Sequence, residues 1–374
     1  MIRLVEPEMG QEEFDAVRQV LESGYLVQGE NVRRFEELVA GYLGLQHAVA
    51  VSSGTAALHL ALLALDLGPG DEVIVPDFTF PATANAVALV GARPVLAEIS
   101  LESYNLDPAV VEDLLTARTR AIVPVHLFGL PAPMDEILEL ADRHGLLVIE
   151  DAACALGASY GGRKCGTMGA AGCFSLHPRK AITTGEGGLI AVQDADLADR
   201  LRSLRNHGMV AGPSGWEFAA VGLNYRMTDL QGALGVVQMG RLAGVIERRR
   251  ALAEMYDSAL AGIPWLERPG VPPDAYHIYQ SYVVLLEAGL DRARIMAALR
   301  AAGVECTIGT YACHAQTLFA SHYGYQPGDI PNSYRAFQST LTLPLHARMA
   351  ELDVEAVAQA LMEIGSRPVS DKQG

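Results

Sequence analysis

Seven short apolar runs, most of them rich in β-branched residues, recur through the first two thirds of the chain: AVAVSS (48–53), DEVIVP (71–76), RPVLAEI (93–99), RAIVPVHLF (120–128), LLVIED (146–151), GCFSLH (172–177) and GLIAVQ (188–193). Between several of them lie segments of helical period such as TAALHLALLALDL and MDEILELADRHG, the second with acids at its start and His-Gly at its end. The alternation predicts an α/β fold built around a largely parallel sheet.

From Thr228 the texture changes. TDLQGALGVVQMGRLAGVIERRRALAEMYDSALAG sustains helical period far longer than an ordinary globular helix, and is expected to link the large domain to a smaller one. Beyond it, SYVVLLE (281–287) and TLTLPL (340–345) read as strands, DRARIMAALRAAG (291–303) as a helix, and a closing helix starts at Glu351, giving an α+β unit. The expected division is a large domain over residues 1–235, whose first residues pack on the small domain, and a linking helix with the small domain over 236–374. The polar tail SRPVSDKQG is expected to fray. There are no internal repeats.

A formal net charge of −16 opposes broad binding to nucleic acid or to an anionic membrane, so an anionic ligand needs a local site. The start, MIRLVEPEMGQEEFD, has no charged-then-apolar leader pattern, and no run of about 18 apolar residues follows; the expectation is a cytoplasmic protein. The five cysteines are odd in number and lack C-x-x-C spacing, which indicates neither a disulfide framework nor a zinc site. His314 beside Cys313 lacks further ligand spacing, so no metal site is expected.

Cation usage is lopsided. Of 28 lysines and arginines only Lys164, Lys180 and Lys372 are lysines, and Lys372 falls in the tail. An amine can lose its proton and attack a carbonyl, which a guanidinium cannot do. Lys180 lies in SLHPRKAITTGEGGLI, between two strand candidates. Three further stretches bear on it. SSGTAALHLALLAL ends a strand, turns on Gly54-Thr55 and opens a helix, so that free amides and the helix dipole meet at one spot; this reads as a phosphate cradle or as simple capping. LLVIEDAACALGA ends a strand on Glu150-Asp151, where α/β sheets bind ligands, although Asp151 there equally suits a helix cap. PDFTFPATANAV offers Phe78 or Phe80 for stacking, or for the core.

A phosphate cradle, an aromatic face, a strand-end acid and a later lysine together meet the needs of pyridoxal phosphate (PLP). Motifs of the P-loop, of zinc peptidases, of serine hydrolases and of dinucleotide-binding folds are missing.

From about Glu12 to Gly365 the chain resembles the DegT/StrS family of fold-type I, PLP-dependent sugar aminotransferases. The resemblance rests on SSGTAAL, GDEVIVP, TFPATANAV, VHLFG, IEDAACALGA, CFSLHPRKAITTGEGG, LRNHG and LNYRMTDLQGALG, in the family's order and at its approximate spacing. It implies a mixed, mostly parallel seven-stranded sheet flanked by helices, a small C-terminal α+β domain, and a homodimer with shared active sites. Residue by residue, it implies that Lys180 carries the cofactor as an aldimine and that Asp151 pairs with the pyridine nitrogen. Gly54, Thr55 and Ser175 would hold the phosphate, Phe80 the ring, and Asn224 the phosphate in the neighbouring subunit. At Cys154 the family usually has Gln or His against the cofactor; a thiol is a weaker donor. The family's dehydratase branch has histidine in place of the lysine, and this chain keeps Lys180.

The reaction so implied moves an amino group from an amino acid, L-glutamate, to a nucleotide-linked 3- or 4-keto-6-deoxyhexose, making an amino sugar for a surface glycan or natural product. His207, Arg226 and His314 are the candidate substrate contacts, and His126 is either beneath the cofactor or a satisfied core histidine. A keto-cyclitol aminotransferase and a non-catalytic sensor of PLP or sugar nucleotide are the alternatives.

Overall fold

The computed structural model describes residues 1–366. The tail beyond them, with Lys372 and the expectation that it frays, lies outside the described residues.

The seven predicted strands form one sheet: β1 (His47–Val51), β2 (Glu72–Pro76), β3 (Arg93–Ala97), β4 (Thr119–Ile122), β5 (Leu147–Asp151), β6 (Ala171–Ser175) and β7 (Gly188–Val192), in the spatial order β1-β7-β6-β5-β4-β2-β3. Only β7 runs against the rest, pairing antiparallel with β1 and β6. Such strands are apolar on both faces because both faces are covered. Alternation sorts the side chains: Val49, Val51, Ile190 and Val192 pack beneath the helices Gly54–Ala64, Ala82–Leu89 and Ala195–Leu204. Their neighbours Ala48, Ala50, Leu189 and Ala191 face Phe35 and Val39 of the helix Glu30–Leu43, and Leu242 and Ile246 of a long helix, Asp229–Ala259.

One strand is shorter than the sequence suggested. The run 120–128 leaves the sheet after Ile122, because Pro124 has no amide to donate and Phe128 turns the chain at φ 57°. His126 N–H still donates to the Asp151 carbonyl at 3.0 Å, which keeps the departing chain beside the end of β5.

The long helix starts at a capping box in which Thr228 accepts from the Gln231 amide. It then passes from one core to another. Leu242 and Ile246 belong to the sheet's core, whereas Leu252, Ala253 and Tyr256 belong to a second core around the antiparallel sheet β8 (Leu266–Glu267), β9 (Tyr282–Leu286), β10 (Thr307–Ile308) and β11 (Thr340–Leu343). The helices Arg292–Ala301 and Glu351–Ser366 cover that sheet. The amino-terminal arm joins its edge: Ile2 bridges Val304, and the Leu4 amide donates to Glu305 at 2.9 Å across 301 residues of sequence. Among the described residues no helix is long and apolar enough to cross a membrane.

The long helix meets the helix Glu30–Leu43 through a glycine, since a Cβ on Gly232 would stand 2.5 Å from the Val32 amide nitrogen. Gly240, on the same helix, has open space around it. Gly232→Ala is expected to destabilise the fold by about 1–3 kcal/mol through overpacking, and Gly240→Ala to stabilise it by about 0.5–1 kcal/mol. Urea unfolding midpoints of the two variants check this pair of opposite shifts.

Candidate active site

Register brings the first elements together. Val51 pairs with Gly188, and Gly188 pairs with Ser175, so the carboxyl end of β1, the start of β7 and the end of β6 lie side by side. The helix Gly54–Ala64 opens there. Ser53 caps it, its hydroxyl accepting from the Ala56 amide at 3.1 Å. The amides of Gly54 and Thr55 have no acceptor among the described residues, and aim positive partial charge at the same spot. Residue 54 must be glycine, because a Cβ would lie 2.8 Å from the Ser175 Cβ. Both capping and an anion cradle were open from sequence; the geometry contains the two together, with Ser53 serving the cap and two amides left over.

The edge beyond β1 gathers three more predicted residues. Ser52 N–H donates to the Tyr225 carbonyl at 2.9 Å, Arg226 bridges Val51, and Asn224 bridges Asn206. Arg226 also donates from Nη1 to the Asn206 side chain. His207, left-handed at φ 61°, follows directly, and its side chain is exposed like that of Asn224. His207, Asn224 and Arg226 therefore occupy one neighbourhood.

At the end of β5 stand two buried acids with different surroundings. Glu150 accepts from His126 Nε2 at 2.9 Å and from the amides of Gly166, Met168 and Gly169 at 2.6–2.7 Å. Burial opposes its ionisation, but these hydrogen bonds win and hold its carboxyl below the usual range. His126 accepts the Ala132 amide at Nδ1, which places its own proton on Nε2 and leaves it a satisfied core residue. Asp151, 5% exposed, receives only the Thr83 hydroxyl at 2.7 Å and the Ala153 amide at 3.1 Å. Burial raises its pKa, opposed by those two bonds and by the charge of Lys180. No cationic side chain lies within ion-pair distance of it among the described residues.

Lys180 reaches back toward this acid. Its Nζ lies 3.1 Å from Cys154 Sγ, three residues beyond Asp151. The loop that carries it is tied down by three side chains: Gln238 Oε1 accepts the Thr183 amide, Gln280 donates to the Arg179 carbonyl, and Arg249 donates to the Lys180 carbonyl. Phe78 is wholly buried among Tyr104 and Phe128, whereas Phe80 is 64% exposed, one turn from Thr83 and edge-on to Tyr311.

His314 stands apart from the other candidates. It is fully buried, its Nδ1 bonded to Asp77 at 2.6 Å and its Nε2 3.2 Å from the Pro327 carbonyl. It anchors the stretch that pairs Tyr311–Ala312 with Phe78–Thr79, and no ring nitrogen is left for a substrate. Three residues escaped the sequence reading. Thr83 sits inconspicuously in FPATANAV, Arg249 hides in the charge run ERRRALAE, and Gln280 carries no local pattern.

These residues fit pyridoxal phosphate. The unpartnered amides at Gly54 and Thr55 beside Ser175 suit a phosphate, the buried Asp151 lacks the cation that a protonated ring nitrogen supplies, and Lys180 presents an amine at Cys154, three residues beyond that acid.

Comparison with known proteins agrees. Residues 7–362 match the DegT/DnrJ/EryC1/StrS aminotransferase family. GDP-perosamine synthase of Caulobacter vibrioides is 40% identical over 367 residues, covering 97% of this chain and 98% of that protein. DesV of S. venezuelae, solved in complex with a ketimine intermediate, superposes with a TM-score of 0.90 at 38% identity over 95% of each chain. Spr1654 of Streptococcus pneumoniae in its PLP form gives a TM-score of 0.94 at 25% identity, over 99% of this chain and 100% of that one. The chain belongs to the DegT/DnrJ/EryC1/StrS aminotransferase family and is a PLP-dependent aminotransferase.

Proposed function

We propose that the enzyme transfers the amino group of L-glutamate to a nucleotide-linked 3- or 4-keto-6-deoxyhexose, with Lys180 as the covalent anchor of the cofactor. The observation that carries this reading is the placement of a lone lysine amine against Cys154, with its charge felt by a buried acid that has no cation of its own. The family and the name of the 40% identical GDP-perosamine synthase support the sugar class.

When bound, the cofactor supplies an aldehyde that exchanges amines and a ring that takes up an electron pair. The chain supplies the rest. Gly54, Thr55 and Ser175 hold the phosphate, and Phe80 covers one face of the ring. Asp151 holds a proton on the ring nitrogen, Thr83 and the Ala153 amide fixing its two oxygens. Lys180, with its amine free, would take the Cα proton of the donor and would deliver it to the cofactor's C4′ carbon. His207, Arg226 and Asn224 receive the anionic parts of substrate or of a neighbouring subunit's cofactor; His314, held in the core, is not part of this proposal.

A second copy of the chain completes the site in the same reading. The hairpin Met209–Gly212 with Gly215–Phe218 exposes Trp216 (69%) and Phe218 (73%), close in sequence to Asn224. A two-stranded ribbon is marginal by itself, and exposed aromatic side chains mark contact surfaces.

Lys180→Arg keeps a cation but neither nucleophile nor proton carrier. It is expected to lose the absorbance band of the covalently held cofactor, and kcat by about 10⁴-fold, the upper end of what proton transfer contributes; normal turnover refutes the assignment. Following glutamate-driven loss of that band, and its return with keto-sugar nucleotides, identifies the acceptor. Asp151→Asn tests the acid in two states. A carboxyl whose pKa is raised by folding destabilises the native state increasingly as pH rises from its unfolded value through the folded one. The variant should therefore make the cofactor-free protein melt higher at neutral pH, with the gain vanishing near pH 4, while lowering kcat of the loaded enzyme. Trp216→Ser with Phe218→Ser should shift sedimentation toward monomer and reduce specific activity on dilution.

A further inference from the structure

Arg249, on the long helix, is a buried cation with no anion. It is 4% exposed, and no carboxylate stands within ion-pair distance among the described residues. Burial pushes its guanidinium down to about 10. Its Nη1 donates to the Gln280 carbonyl at 2.8 Å and its Nη2 to the Lys180 carbonyl at 3.3 Å, while Nε has no partner. The Gln280 amide in turn donates to the Arg179 carbonyl at 2.8 Å. Taking an unpaired guanidinium out of water is costly, and an apolar side chain of similar volume would fill the space without that penalty. The cation nevertheless sits where it touches the main chain of Lys180.

We propose that Arg249 is a positioning residue for Lys180, clamping with Gln280 the two successive carbonyls of Arg179 and Lys180 so that the amine projects at one fixed angle; this rests on the reading of Lys180 as the cofactor's anchor. Neither half of the clamp comes from the seven-stranded sheet. Arg249 lies where the linking helix passes between the two cores, and Gln280 stands two residues before the small-domain strand β9. The angle of the amine is thereby set by how the small domain is seated. Misplacement of about 1 Å is enough to cost on the order of 10²-fold in rate.

The test uses the full-length protein freed of cofactor, then mixed with PLP. The rate of covalent attachment is read from absorbance, and the attachment point from borohydride trapping followed by peptide mass. Arg249→Met is expected to unfold cooperatively like the unaltered protein yet attach PLP at least about tenfold more slowly. Its kcat should fall by a similar factor while KM for the amino-acid donor holds, and Arg249→Lys should recover most of the rate. A folded Arg249→Met variant with unaltered attachment rate and kcat overturns the clamp. If that variant does not fold, Gln280→Leu carries the test: slower attachment supports the clamp and an unaltered rate overturns it. A trapped label on a residue other than Lys180 in the unaltered protein overturns the underlying reading and the clamp with it, whereas a label on Lys180 at unaltered rates in the variants overturns the clamp alone.

Discussion

Two consecutive carboxylates are buried where β5 ends, and the fold satisfies them unequally. Strand alternation sends Glu150 and Asp151 to opposite faces. On one face three amides of the Gly166–Gly169 turn and the Nε2 of His126 converge on Glu150, so the oxygens of this acid are fully hydrogen-bonded by the chain itself. On the other face Asp151 meets one hydroxyl and one amide, and its charge is left without a counter-charge in contact. Low dielectric makes that deficit expensive, and a cationic group brought from outside the chain relieves it. Glu150 serves the scaffold by pinning the turn that lets β6 start beside β5. In the proposed reading Asp151 serves the ligand, and the rest of the site is arranged around its unmet charge.

The fold was legible because each of the seven strands is both short and apolar, bounded by residues that cannot continue it. The one overextended strand failed for a local reason, since Pro124 and the left-handed Phe128 end the ladder although the apolar pattern runs on. Gly54 and Asp151 stood out because each sits at an element boundary, where sequence marks the chain's direction, Lys180 because lysine is scarce in this chain, and Ser175 through the family resemblance. Thr83, Arg249 and Gln280 could not, because their roles come from contacts with residues 68, 69 and 101 positions away, and nothing near them in sequence registers such a partner. His314 shows the converse. A histidine in a polar stretch looked available, yet Asp77 had already claimed it across 237 residues. The exposed hairpin was also missed, since its short strands lack the apolar alternation that a buried face would impose.

The division of labour between the two cores follows from the same geometry. The sheet supplies the strand ends that form the candidate site, whereas the second core meets that site through the linking helix and the stretch before β9, which reach the loop of Lys180. Asp77 binds His314, and Glu98 receives the amides of Asn332 and Ser333 at the start of the helix Pro331–Ser339. Acids just beyond β2 and β3 thus hold the later segment over the mouth of the sheet, where Tyr311 meets Phe80.

The amino-terminal arm has a consequence in time as well as space. Ile2 and Leu4 find their partners at Val304 and Glu305, so the arm cannot settle until some 300 further residues have been made. At about 5–20 residues per second, that is on the order of 15–60 s of synthesis. The last strand of the sheet, β7, ends at Val192, so the sheet is complete in sequence while the arm stays unmatched. A segment made at the start thus waits for a pairing partner that is made only after the seven-stranded sheet, with its backbone groups open in the meantime.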